Sequence, residues 1–195
     1  MLVWAGDIAE GERVIAPLRR LGTPLADVVR PVPYVALQSM LDGSAPHGMR
    51  YYWKSHRLPE LGDDVIDVVM GAVDTITSPQ SQISGWAFGG AVSRVRPEET
   101  AVGAREAGFE LNVSAAWPPS DTDGQRHVAW TREQWEVLRP RSTGVYANFL
   151  SDEDPAGMAA AYGSRLARLT ELKDRYDPTN FFCLNANVTP SADAR

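Results

Sequence analysis

GVYANFLSDEDPAGMAAAYGSRLARLTELKDRYDPTNFFCLNANVTP occupies residues 144–190 and divides into three parts. Val145 to Leu150 is mostly apolar and is expected to be a short strand carrying a Tyr146–x–Asn148 pair. A helix is expected next. Asp154 is a fitting N-cap, and Pro155 suits the first helical position, where a missing N–H costs nothing. Met158, Tyr162, Leu166, Leu169, Leu172 and Tyr176 recur at spacings of three and four, which makes one apolar stripe. Asp177-Pro178 ends the helix, because the residue before a proline is pushed out of the α region. The tail beyond it sets Asn180, Asn185 and Asn187 among apolar residues, amides where an ordinary core strand has none.

Working back from this unit, Phe109 to Trp117 (FELNVSAAW) is the cleanest strand. Phe109, Leu111, Val113 and Ala115 face one way, and Glu110, Asn112, Ser114 and Ala116 the other. Met49 to His56 and Ser81 to Phe88 also read as strands, and Met1 to Ala5 and Ala91 to Val95 are further candidates. Leu58 to about Ile76 reads as helix in two pieces broken at Gly62, with Asp63 or Asp64 as cap and Ile66, Val69, Met70, Val73 and Ile76 as its buried stripe. A helix to about Leu21 is interrupted by Pro17, and Tyr34 to Leu41 is a short helix. Thr131 is expected to cap a helix ending at Leu138, after a polar loop over 118–127.

This pattern implies an α+β fold: an antiparallel sheet with helices packed on one face, followed by a C-terminal strand–helix–tail unit. Residues 1–143 are expected to form the α+β domain, 144–190 the C-terminal segment, and 191–195 a disordered end. The other sheet face is expected to carry Tyr52, Lys54, Glu110 and Asn112 and to meet a ligand or partner.

Bulk properties narrow the function classes. The 195 residues suffice for a real core, and a net charge of −6 with no long basic run argues against nucleic acid as the main partner. One cysteine, Cys183, excludes an internal disulfide, and the three scattered histidines do not suggest a metal site. No apolar run is long enough to span a membrane and no leader pattern opens the chain, so the default location is cytoplasmic.

Taken together, Tyr146-x-Asn148-Phe149, a helix with Tyr162-Gly163 and Arg165-Leu166, Leu172-Lys173-x-x-Tyr176-Asp177-Pro178-x-Asn180-x-Phe182 and Asn185-x-Asn187-Val188-x-Pro190 resemble the C-terminal signature of berberine bridge enzyme-like flavoproteins. These are FAD-dependent oxidoreductases of the vanillyl-alcohol oxidase superfamily. Gly48 to Ser55, Ser78-Pro79, Gly89-Gly90-Ala91, Thr100-Ala101, Arg105 and Trp117 extend the resemblance to roughly residues 2–190. It implies a substrate domain whose sheet roofs FAD, with hydride passing from a small organic substrate to the flavin. The family's FAD-binding domain, with its pyrophosphate loop and its tethering His and Cys, has no counterpart here. The expectation is therefore a C-terminal half that works with a separate FAD-binding domain polypeptide. The alternative is a non-catalytic ligand-binding or relic domain. The apolar residues Phe181, Phe182 and Leu184 would then lack their usual cover, which predicts a mobile tail from about residue 177 or a homodimer.

The resemblance also assigns residues. Glu110, seven residues before Trp117, matches an acidic catalytic base; Tyr146, Asn148, Asn185 and Asn187 match groups beside the flavin. Phe149 departs from relatives with a second tyrosine there, so a mechanism that uses that tyrosine as base does not carry over. Tyr52, Lys54, Trp86 and Asn112 are candidates to line a substrate cleft. Each residue also fits a plain role: Glu110 on a solvated face, Tyr146 in the core, the tail asparagines as turn caps, and Tyr52, Lys54 and Trp86 as sheet packing.

Overall fold

The alternation in FELNVSAAW is realised as β3 (Gly108–Trp117), the central strand of a three-stranded antiparallel sheet with order β1-β3-β2. β1 is Arg50–Leu58 and β2 is Gln82–Phe88. The computed structural model describes residues 2–103, 105–150, 155–184 and 186–192. These fall into two compact units, Met1–Pro46 and His47–Arg195.

The larger unit holds the sheet. Its helices are α3 (Asp63–Asp74), α4 (Ala91–Arg94), α5 (Gly124–Leu138), α6 (Pro155–Tyr162) and α7 (Leu166–Tyr176). The core forms where α3 and α5 lie on one sheet face, around Leu58, Val113, Ala115, Trp117, Trp130 and Leu138. The α+β architecture read from the sequence is therefore the one observed.

Several local expectations are corrected. β1 runs on to Leu58, so α3 begins only at Asp63, and its N-cap is Gly62, whose carbonyl takes the N–H groups of Val65 and Ile66. The buried side of α3 is Val65 and Ala72; of the expected stripe Val69 and Ile76 pack part-buried against the core, while Ile66, Met70 and Val73 are exposed. On so apolar a helix two stripes compete, and only packing chooses between them. α5 starts seven residues before Thr131, which is fully buried mid-helix and donates its hydroxyl to the His127 carbonyl instead of capping. Residues 91–94 are a short helix, and residues 2–5 pair with no strand.

The C-terminal unit differs most. The expected strand at Val145–Leu150 is a 3-10 turn, Ala147–Phe149, reached after a single bridge between Gly144 and Arg57 on the outer edge of β1. The chain pairs there once, through Arg57 N–H to the Gly144 carbonyl at 2.7 Å, and then folds over the sheet. The long helix is two, α6 and α7, separated by a 3-10 turn at Gly163–Arg165. Gly163 has φ of 53°, a left-handed conformation that glycine adopts without a Cβ penalty and that stops a helix. The expected cap Asp154 and the tail residue Asn185 lie outside the described residues.

The smaller unit comprises α1 (Ile8–Ile15), a 3-10 turn at Leu18–Arg20, α2 (Tyr34–Gln38) and a second 3-10 turn at Ser39–Ser44. Asp7 caps α1 by accepting from Glu10 N–H at 2.9 Å, and Gly11 packs beneath the Trp4 ring. The break at Pro17 falls where expected. Leu21, Leu25, Val35 and Leu41 stay exposed, so this unit leaves much of its apolar surface uncovered.

Candidate functional site

Register sorts the sheet residues into two faces, because residues directly opposite in an antiparallel pair project to the same side. Arg57 pairs with Glu110 and Ser55 with Asn112 on β1; Trp86 pairs with Glu110 and Ser84 with Asn112 on β2. One face therefore gathers Ser55, Arg57, Ser84, Trp86, Glu110 and Asn112. The other carries Tyr52, Lys54, His56 and Leu58 opposite Ala115, Val113, Leu111 and Phe109, and this is the face the helices cover.

Glu110 sits at the centre of the first face with polar or aromatic neighbours on both flanking strands. It is 4% exposed, and Asn112 is 5% exposed, so the expected open face is closed over its middle strand. The 3-10 turn closes it. Tyr146 N–H donates to Ser55 Oγ at 3.4 Å, Phe149 stacks on Trp86 with ring centres 5.6 Å apart, and Tyr146 meets Phe149 edge-on at 5.3 Å. Asn148 Nδ2 donates to the Tyr146 hydroxyl at 2.8 Å within the turn.

Among the described residues, two buried side-chain atoms of this cluster have no hydrogen-bond partner: Glu110 Oε1, an acceptor, and Asn112 Nδ2, a donor. They lie two residues apart on one strand face, a side-chain separation of roughly 7 Å. Buried polar atoms are usually satisfied, so this bare acceptor and bare donor on one strand face single the cluster out as the candidate site. Burial pushes the Glu110 carboxyl above the ordinary carboxylate range, while the Ser55 hydroxyl and the Arg57 charge pull it back down.

The candidate residues thus divide into three groups. Glu110, Asn112, Trp86, Tyr146 and Asn148 come together. Tyr52 and Lys54 do not join them, which corrects the expectation that they share the polar face. Register puts them against α5, where Arg132 Nε donates to the Tyr52 hydroxyl at 2.9 Å and Lys54 Nζ lies 4.4 Å from the centre of the Trp135 ring. Asn187 belongs to the tail, where its Nδ2 donates to Asn180 Oδ1 at 3.1 Å. Asp177 organises that turn by accepting from the N–H groups of Phe181 and Phe182, and Asn180 adopts φ of 56°. Sequence reasoning missed Ser55 and Arg57. Their shared parity on β1 was visible, but what they face depends on register, which one strand's sequence does not contain.

His56, on the helix-covered face, provides a pH test of the fold. Its Nε2–H donates to the Trp135 carbonyl at 2.8 Å, its ring stacks on Trp135 at 4.7 Å, and its Nδ1 is buried without a partner. Burial pulls its pKa down from the ordinary 6.5 to about 4. The unfolded chain therefore binds a proton that the folded chain refuses between those values. Stability from this group is complete above the unfolded value and is lost as pH falls through the window toward 4. Urea denaturation at pH 7 and pH 4 is expected to show a loss of up to roughly 3 kcal/mol from this residue, most of it absent in His56→Gln. Parallel curves for the two proteins would exclude His56 as the cause.

With this geometry in view, residues 145–189 match the family model described as "Berberine and berberine like". The chain is 29% identical over 192 residues to an FAD-linked oxidoreductase of Dictyostelium discoideum, covering 97% of this chain and 42% of that protein. The chain is similar to the C-terminal part of berberine bridge enzyme-like FAD-linked oxidoreductases. YgaK, an FAD-linked oxidoreductase of Bacillus subtilis, is 24% identical, with 96% of this chain and 42% of YgaK covered. The solved structure of BBE-like 1 from Physcomitrella patens shares the fold, with a TM-score of 0.72 at 20% identity, over 95% of this chain and 43% of that one. The chain thus spans about two fifths of the length of the curated FAD-linked oxidoreductases it matches, and the match covers their C-terminal part.

Proposed function

We propose that this chain is the substrate-side portion of an FAD-dependent oxidoreductase, with Glu110 as the base and an FAD-binding domain as its partner. The observation that carries the reading is the pair of bare, buried atoms, Glu110 Oε1 and Asn112 Nδ2, beneath the aromatic turn. Glu110 takes the proton that a small organic substrate sheds as its carbon is oxidised, and its burial suits that task by bringing a carboxylate's basicity nearer to neutral. Ser55 orients the carboxylate, and Asn112 donates to an oxygen of the substrate. Bound FAD supplies the hydride acceptor.

The residues present fit such a cofactor. Trp86 is 46% exposed, and beside it Tyr146 and Asn148, both exposed, offer a phenol and an amide to a planar polar heterocycle. Phe181, Phe182 and Leu184 are 77%, 75% and 81% exposed, apolar surface of the kind a partner domain covers.

An absorbance spectrum of the purified protein between about 350 and 500 nm, before and after adding FAD, is the first test. The second is turnover with an FAD-binding domain from a relative supplied in trans. A flavin band or restored turnover is expected from the assembled pair. A flat spectrum with no turnover from any supplied domain would leave a ligand-binding domain without redox activity.

A further inference from the structure

We propose that Arg57 is the positioning residue for Glu110: its guanidinium, fixed in place on the neighbouring strand, keeps the carboxylate in its charged form with one oxygen turned to the ligand. The inference rests on the reading of Glu110 as the base, and it names what makes that base available.

Arg57 lies directly across from Glu110 in the β1–β3 register and on the same face. It is 4% exposed, an uncommon placement for an arginine. Its guanidinium lies 4.0 Å from the centre of the Phe88 ring and donates through Nη2 to the Glu106 carbonyl. Its backbone is held as firmly. The Arg57 N–H reaches the Gly144 carbonyl at 2.7 Å, and its own carbonyl receives the Thr143 N–H at 2.8 Å. These contacts restrain both ends of the residue, so the positive charge is kept on the sheet face that carries Glu110.

Without that charge, only the Ser55 hydrogen bond would be left to offset the burial that raises the Glu110 carboxyl. Ser55 is the second restraint. Its hydroxyl donates to the carboxylate and accepts from Tyr146 N–H, and this occupies one carboxylate oxygen while Oε1 stays bare. Among the described residues, the titratable and charged groups around the cluster are Arg57 on β1, Glu106 on the preceding loop, Tyr146 on the turn and Arg165, which lines one cavity with Arg57 and Glu106; Trp86 on β2 carries none. Glu106 is exposed and holds Arg57 through its backbone, so its side chain is a weaker influence than the guanidinium.

The test is a carbon-detected NMR titration of the full chain labelled at glutamate side chains, with Glu110 assigned by its absence in Glu110→Gln. Arg57→Met is expected to raise the Glu110 midpoint by about one pH unit or more. Arg57→Lys, which keeps the charge, is expected to raise it less. An unchanged midpoint in a folded Arg57→Met protein would overturn the proposal. Should Arg57→Met fail to fold, Phe88→Leu frees the guanidinium without removing it. A raised midpoint there supports the assignment, and an unmoved one overturns it. Because the titration needs neither flavin nor turnover, a failed turnover assay leaves this result standing, and an unmoved midpoint leaves the redox reading standing.

Discussion

Glu110→Gln is expected to lower turnover by roughly 10²–10⁴ when the chain is assayed with an FAD-binding domain and substrate. Glutamine keeps the shape and can still accept from Ser55, but it cannot take a proton. The loss should fall on kcat, with KM changed far less, because the group acts as the substrate reacts. The pH profile separates this from misfolding. In the unaltered chain, turnover should rise with pH as the Glu110 carboxyl, raised above the ordinary carboxylate range by burial, gives up its proton. That limb should vanish in the glutamine variant. A variant that kept wild-type turnover and the same limb would remove Glu110 from the chemistry while leaving the family relationship intact.

Trp117→Ala is expected to cost about 3–5 kcal/mol of stability, measured by urea denaturation at neutral pH. The indole is 5% exposed, stacks on His127 with ring centres 4.9 Å apart, and has Gly124 at the start of α5 packed against it, where a Cβ would lie 3.0 Å from Nε1. It therefore joins the end of the central strand to the first turn of the helix above. His127, in turn, is held by Thr77 at 2.7 Å and Asp121 at 3.0 Å, so an empty indole site would loosen three segments together. Trp117→Phe, which refills part of the space, should cost clearly less. A loss within about 1 kcal/mol for the alanine variant would show that the site collapses around the gap.

The parts of this molecule that could be read in advance were those governed by short-range rules. β3 announced itself because strict alternation over the seven residues Phe109 to Ala115 has few other readings, and the break at Pro17 followed from a missing N–H. Glu110 and Asn112 were identified by position and do lie together on one face. Tyr52 and Lys54 were misassigned because parity within β1 says which residues share a side but not which side the helices take. The start of α5 was hidden by Asp121 and Asp123, which look like loop. Yet His127, Trp130, Thr131 and Leu138 already followed helical spacing, and that signal could have corrected the boundary. The turn at Ala147–Phe149 was not readable at all, since a single bridge to the edge of β1 replaced the expected ladder.

The strand order β1-β3-β2 has one more consequence. Gly144 takes up part of β1's outer edge, but among the described residues no strand pairs with the outer edge of β2. β2 reads QISGWAF, seven residues without a charge or a proline and with an exposed tryptophan near the end. Such an edge is a template on which another extended chain can add. At high protein concentration the first sign of trouble should therefore be sheet-rich oligomers nucleated on this strand, and a lysine in place of Gln82, at the strand's margin, is the least intrusive way to discourage them.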